Sequence, residues 1–216
     1  MPTTAEGADV TPMIGEQPTN RSWVRRAAPW AGWCVLFVPL TIVLHELGHY
    51  TTARFLGFPN PVLHYSLVTP GDVTGIRPSL VGVVGLAGPA VTIILAAFAC
   101  GWIILRGPAR WAFALAVAAA SRFVVGVPYT VINTGVRLIG GHMRAPAFDE
   151  HQAGTALGWS GDALLASTTL VLVAVLLCVG YKLPRGERSV AWPGLLLGTV
   201  LGWALWMLLL GPVLLP

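Results

Sequence analysis

Charged side chains are scarce in this chain. They make up 10% of its 216 residues, where a soluble domain carries roughly a quarter, and residues 31–44 (AGWCVLFVPLTIVL) contain none. With 55% hydrophobic residues and a mean hydropathy of +0.72, that scarcity excludes an ordinary soluble domain and describes an integral membrane protein. Cysteine is also rare. Cys34, Cys100 and Cys178 each fall in an apolar stretch. Their spacing fits no cysteine zinc cluster, so they read as small apolar fillers with no disulfide expected. Acids number nine against thirteen bases. The surplus of +4 does not point to nucleic acid, because the cations lie between the apolar segments. No internal repeat is apparent, which removes the usual sequence support for a small transporter.

Five apolar segments are present, at about 29–50, 80–105, 109–132, 162–181 and 190–215. Each reaches or nearly reaches the roughly 20 residues that a spanning helix needs. They predict an all-α polytopic membrane protein with about five transmembrane helices, placed in the cell membrane. Residues 1–28 read as a disordered polar tail and 29–216 as a single membrane domain. The first segment is read as a retained span rather than a signal peptide, since a long polar stretch precedes it and no small-residue cleavage site follows. Eight cations (Arg21, Arg25, Arg26, Arg106, Arg110, Lys182, Arg185 and Arg188) fall on the N-terminal side of the predicted spans. Four (Arg54, Arg77, Arg137 and Arg144) fall on the other. The positive-inside rule then favours a cytoplasmic N-terminus, and the side of the membrane that the chain's first helix end faces stays open. Trp23, Trp30, Trp33, Trp111, Trp159 and Trp192 stand near span ends, as interfacial anchors do.

Within the first span, Pro39 is expected to loosen the helix, and Gly57 to cap it before Pro59 and Pro61. Residues 62–77 read differently. VLHYSLVT, then Pro70-Gly71-Asp72, then VTGIR predicts a short β-hairpin built on the Pro-Gly-Asp turn, with an irregular loop as the plainer reading. An open strand edge is forbidden in lipid, so a hairpin here must lie at the surface or line a cavity. Gly82, Gly85, Gly88 and Ala90 put small residues at helical spacing, which lets another element approach closely.

The first span ends in His45-Glu46-Leu47-Gly48-His49. On a helix this pattern sets two imidazoles four residues apart on one face, where both can hold one zinc ion. The intervening Glu46 is placed to take a proton from a water that the metal activates. The bland reading is a helix end with two solvated histidines. It sits poorly with the uncharged run before the motif, because polar groups inside a membrane are expensive. A catalytic zinc usually has three protein ligands, so a third must come from elsewhere. Spans two and three return the chain to the face where the first span ends, so the loop 133–161 emerges beside the histidines. Topology excludes Glu187 and leaves Asp162 a weaker option. Asp149 is the preferred ligand, because carboxylate oxygen binds zinc well and offsets its charge. Glu150, His151 and His142 remain alternatives, and a solvated loop acid is the plainer reading of Asp149. Arg122, inside the third span, is either functional or paired with an acid such as Asp162 or Asp72.

These residues together resemble the site-2 protease family of intramembrane zinc metallopeptidases, the M50 peptidases. His45-Glu46-Leu47-Gly48-His49 in a predicted transmembrane helix carries the match. So do Gly88-Pro89-Ala90, which looks like the Gly-Pro segment of the family's second core helix, and Asn133 followed downstream by Asp149. Two departures are visible: Asn133 and Asp149 stand sixteen residues apart with Glu150 following, and Thr92 stands near where many relatives place an asparagine. The resemblance covers about residues 30–160. It implies a three-helix catalytic core there, with accessory helices over about 162–215. It also implies one zinc per chain and a transmembrane protein or peptide substrate in the lipid bilayer. The expected activity is an intramembrane zinc-dependent endopeptidase. Glu46 is its general base, His45, His49 and Asp149 its ligands, and Asn133 or Arg122 a contact for the oxyanion or substrate. The alternatives are a non-proteolytic metal-binding membrane regulator, or a small transporter using Arg122 and the histidines as an ion path.

Overall fold

The computed structural model describes residues 20–141, 143 and 148–216. Thirty-six residues form the first helix, α1 (Asn20–Phe55), which runs through Pro29 and Pro39 without ending. A proline in a helix removes one backbone hydrogen bond, and a long apolar helix packed on neighbours tolerates that loss. Residues 20–28, expected to belong to a polar tail, are helical. Packing supplies the reason. Ala27 and Trp30 are buried against Gly194, whose missing Cβ leaves room for Ala27 O and Trp30 Cβ. The far end of α1 stops as the sequence predicts. Gly57 takes φ +77°, and Phe58 N–H donates to Ala53 O at 3.0 Å.

A hairpin follows, but its turn is not the predicted one. Strands β1 (Val62–Leu63) and β2 (Val68–Thr69) pair antiparallel, Val62 with Thr69 and Leu63 with Val68. The turn is 64–67, and Pro70-Gly71-Asp72 comes after the second strand. Long-range bonds fix this register. Tyr65 N–H donates to Leu215 O at 3.0 Å, and Trp206 Nε1–H donates to Tyr65 O at 2.8 Å. Gly71 closes the loop at φ +79°, where a Cβ would lie 1.8 Å from Pro59 O. Only glycine fits there.

Helix α2 (Pro78–Arg106) leads to α3 (Arg110–Ala120) and α4 (Phe123–Leu138). The third predicted span, 109–132, is thus two helices, bent by 41° at Ser121–Arg122. The loop predicted over 133–161 is partly helical. It holds the end of α4 and a short helix, α5 (Asp149–Ala156). Helix α6 (Gly161–Lys182) and a 3₁₀ turn (Arg185–Glu187) precede α7 (Arg188–Leu205). A π-helical turn (Trp206–Leu210) and α8 (Gly211–Leu214) complete the chain. Among the described residues, four helical stretches are long and apolar enough to cross a membrane, five if the bent pair counts as one. That is compatible with a multi-pass membrane protein. Many large apolar side chains, among them Ile94, Phe98, Leu170, Leu177 and Val200, face outward, as they do toward lipid.

Helix α3 lies at the centre. Every residue from Ala112 to Ala120 is buried, and the core around it includes Trp30, Cys34, Ala96, Val175 and Leu195. Its alanines let α1, α2 and α6 close in around it. The three cysteines are free.

Sequence reading missed one packing device: Gly194, Gly198 and Gly202 are spaced four apart along α7. A Cβ on Gly198 would lie 2.3 Å from Ala31 O, and one on Gly202 2.8 Å from Val38 Cβ. The small-xxx-small spacing was the available signal. Gly198→Ala is expected to cost about 1–3 kcal/mol by overpacking, seen as a lower thermal unfolding midpoint in detergent. Gly32→Ala, at a site with open space, leaves the midpoint unchanged or higher.

Candidate metal centre

Helical spacing puts His45 and His49 on one face of α1, and α2 presses against that face. Glycines allow the approach. A Cβ on Gly48 would lie 2.9 Å from Ala87 O. A Cβ on Gly88 would lie 2.2 Å from His49 Nε2 and 2.6 Å from His45 Nε2. The glycine of the Gly-Pro segment is therefore the floor on which both imidazoles rest.

Helix α2 also seats the third group. Its Gly82 and Gly85 lie against Leu157 and Ala153 of the α5 segment, so the small residues on this helix receive α5 as well as the imidazoles. Asp149, the first residue of α5, thereby reaches the histidines. Its Oδ2 is 3.2 Å from His45 Nε2 and 3.6 Å from His49 Nε2, and the two Nε2 atoms are 3.2 Å apart. His45, His49 and Asp149 form a group close enough to hold a metal ion.

The far side of each ring is anchored, and for His49 the anchor fixes the tautomer. His49 Nδ1 lies 2.7 Å from Val84 O. A carbonyl only accepts, so Nδ1 carries the hydrogen and Nε2 presents a lone pair in the neutral ring. His45 Nδ1 lies 2.9 Å from Thr92 Oγ1, whose hydroxyl donates to Gly88 O at 3.3 Å. With that hydrogen on Gly88 O, Thr92 Oγ1 accepts from His45 Nδ1–H and Nε2 faces inward; Arg122 Nη1 also lies 3.2 Å from His45 Nδ1. Thr92 thus orients the His45 ring. The result is three acceptors converging on one point, which calls for a cation.

Arg122 partly answers that call. The break after α3 brings it to the site, and Trp203 Nε1–H donates to Ser121 Oγ at that break, at 3.1 Å. Arg122 Nη2 is 3.0 Å from Asp149 Oδ2, and Nη1 is 3.1 Å from His45 Nε2. Neither Asp162 nor Asp72 is its partner. Asp162 instead pairs with Arg137 and His151, and Glu187 with Arg110.

The remaining candidates separate. Glu46 is buried and lines a cavity of about 520 Å³ together with both histidines, Thr92, Arg122 and Asp149. Ser66, Leu67, Val68 and Pro70 of the hairpin line the same cavity. Glu150 is buried beside Arg122, at 3.6 Å. His151 faces Asp162 at 3.3 Å. Asn133 is buried on α4 and is not among the residues that line this cavity. His142 lies outside the described residues. The hairpin thus takes one of the two placements its sequence allows, lining a cavity, whereas Thr92 as the partner of His45 was not foreseen. The only available signal for Thr92 was its position one turn after Gly88. Comparison of the chain with protein-family models, curated proteins and solved structures finds no match in any of the three.

Proposed function

We propose that this protein is an intramembrane zinc-dependent endopeptidase that hydrolyses peptide bonds in membrane-protein substrates. One observation carries the reading: the donor triangle of His45, His49 and Asp149, with Glu46 in the same cavity wall. Its edges of 3.2, 3.2 and 3.6 Å fit tetrahedral zinc, whose ligand bonds of roughly 2.0–2.1 Å place ligand atoms about 3.4 Å apart. Charge agrees. Glu46, Asp149 and Glu150 against Arg122 leave a formal −2, which a divalent cation neutralises.

Zinc bound there supplies Lewis acidity, which polarises the scissile carbonyl and makes a water nucleophilic near neutral pH. Glu46 accepts the proton of the attacking water and delivers it to the leaving amine. Arg122, on the same cavity wall, meets the negative charge that develops on the carbonyl oxygen. Asn133, the other sequence candidate for that contact, lacks a place on the cavity wall. A substrate helix must unwind before its carbonyls become accessible. Among the described residues β2 pairs only with β1, so an extended substrate segment can add to the free edge beside the cavity.

The test is metal content. Purified wild type is expected to hold about one zinc per chain, and His45→Ala and Asp149→Ala to lose it. Retention of zinc by Asp149→Ala alone would move the third ligand elsewhere, and a zinc-free wild type would remove the enzyme reading.

A further inference from the structure

Glu150 is the buried charge that the mechanism leaves unused. We propose that it is the counter-ion that draws Arg122 off the metal donors, so that one guanidinium exchanges between Asp149 and Glu150 as the metal leaves and arrives. Glu150 is then a positioning residue of the centre. The inference rests on the metal site proposed above.

The guanidinium occupies atoms that the metal needs. It lies 3.1 Å from His45 Nε2 and 3.0 Å from Asp149 Oδ2. A metal ion takes the lone pair of Nε2 and an oxygen of Asp149, and it repels a positive neighbour at this range. Arg122 must therefore withdraw. An acceptor stands beside it: Glu150 Oε2 is buried, makes no hydrogen bond, and lies 3.6 Å from Arg122 Nη2. A movement of about 0.7 Å turns that separation into an ordinary charge-assisted hydrogen bond. An orphaned buried carboxylate oxygen is costly, and the exchange gives it a partner when the metal is bound.

The fold makes the guanidinium the mobile member. Asp149 and Glu150 are consecutive in the first turn of α5. That helix is wedged between Gly85 of α2 and Gly161 of α6, with Gly161 Cα 2.9 Å from where a Cβ on Gly154 would lie. Arg122 is a long side chain at the junction of two bent helices. Glu150 and Arg122 already form an ion pair at 3.6 Å, but without a hydrogen bond to Oε2.

The experiment measures the zinc dissociation constant by chelator competition on purified protein in detergent. It compares wild type, Glu150→Gln, Arg122→Met and the double variant. Glu150→Gln is expected to weaken zinc binding roughly 10–100-fold, the range for lost outer-shell partners, because Arg122 then has only the metal donors to pair with. Arg122→Met is expected to tighten binding a few-fold in the wild-type background and far more in the Glu150→Gln background, returning the double variant to near wild-type affinity. An equal gain in both backgrounds means that the two charges act independently, and it overturns the exchange. So does unchanged affinity in Glu150→Gln. Should that variant fail to fold, Glu150→Asp, which keeps the charge but withdraws it by one methylene, carries the same cycle. A wild type without zinc defeats the metal centre and this inference together, whereas a zinc-binding wild type with additive variants defeats only the inference.

Discussion

Glu46→Gln is expected to keep about one zinc per chain while cleavage falls by roughly 10²–10⁴-fold, the usual contribution of a general base. The two halves of that result have separate causes. Glu46 is not in the donor group, which consists of His45, His49 and Asp149, so the amide leaves the metal's ligands untouched. The amide has nearly the shape of the carboxylate but cannot accept a proton from the attacking water. Cleavage is read as new N-termini, counted by mass spectrometry, after reconstitution with a library of single-span transmembrane peptides. Undiminished cleavage would refute the mechanism. Zinc binding with no cleavage by the wild type would favour the non-proteolytic regulator instead. A transporter would show flux into liposomes that does not depend on Glu46.

Gly88→Ala is expected to raise the zinc dissociation constant by about 100-fold or more without touching a ligand. A Cβ at this position would lie 2.2 Å from His49 Nε2 and 2.6 Å from His45 Nε2, well inside van der Waals contact. Helix α2 cannot retreat, because its neighbouring turns are held on both sides: Ala87 O is pressed against Gly48, and Gly85 against Ala153. The imidazoles must turn instead. They then leave Val84 O and Thr92 Oγ1, their anchors at 2.7 and 2.9 Å. Losing a single such anchor typically costs 10–100-fold in metal affinity, and here two go together with the inward aim of both Nε2 atoms. Gly101→Ala, on the same helix but with nothing within 4 Å, is the control and keeps wild-type affinity. Gly88→Ala with unaltered zinc binding would mean that the metal does not sit against α2.

The spans and the histidine pair were legible because each depends on neighbours in sequence. An apolar run of about 20 residues is a local property, and so is the four-residue spacing that stacks His45 over His49. The predicted segments at 80–105 and 162–181 accordingly fall inside α2 and α6. Topology alone also brought the segment holding Asp149 to the right face. The hairpin's existence was legible in its β-branched residues, but its register was not. The turn at 64–67 depends on hydrogen bonds from Trp206 and to Leu215, some 140 residues away.

The sequence by itself determined a helical, membrane-compatible chain with two imidazoles and a carboxylate on one face of its first helix. Tertiary structure alone decided which acid joins the imidazoles, why Gly88 must lack a side chain, and that Arg122 pairs with Asp149 rather than with Asp162. The difference is one of range. Hydrophobicity and helical phase are summed over adjacent residues, whereas a donor triangle with edges of 3.2 to 3.6 Å requires α1, α2 and α5 to meet, and nothing local to any one of them specifies that meeting.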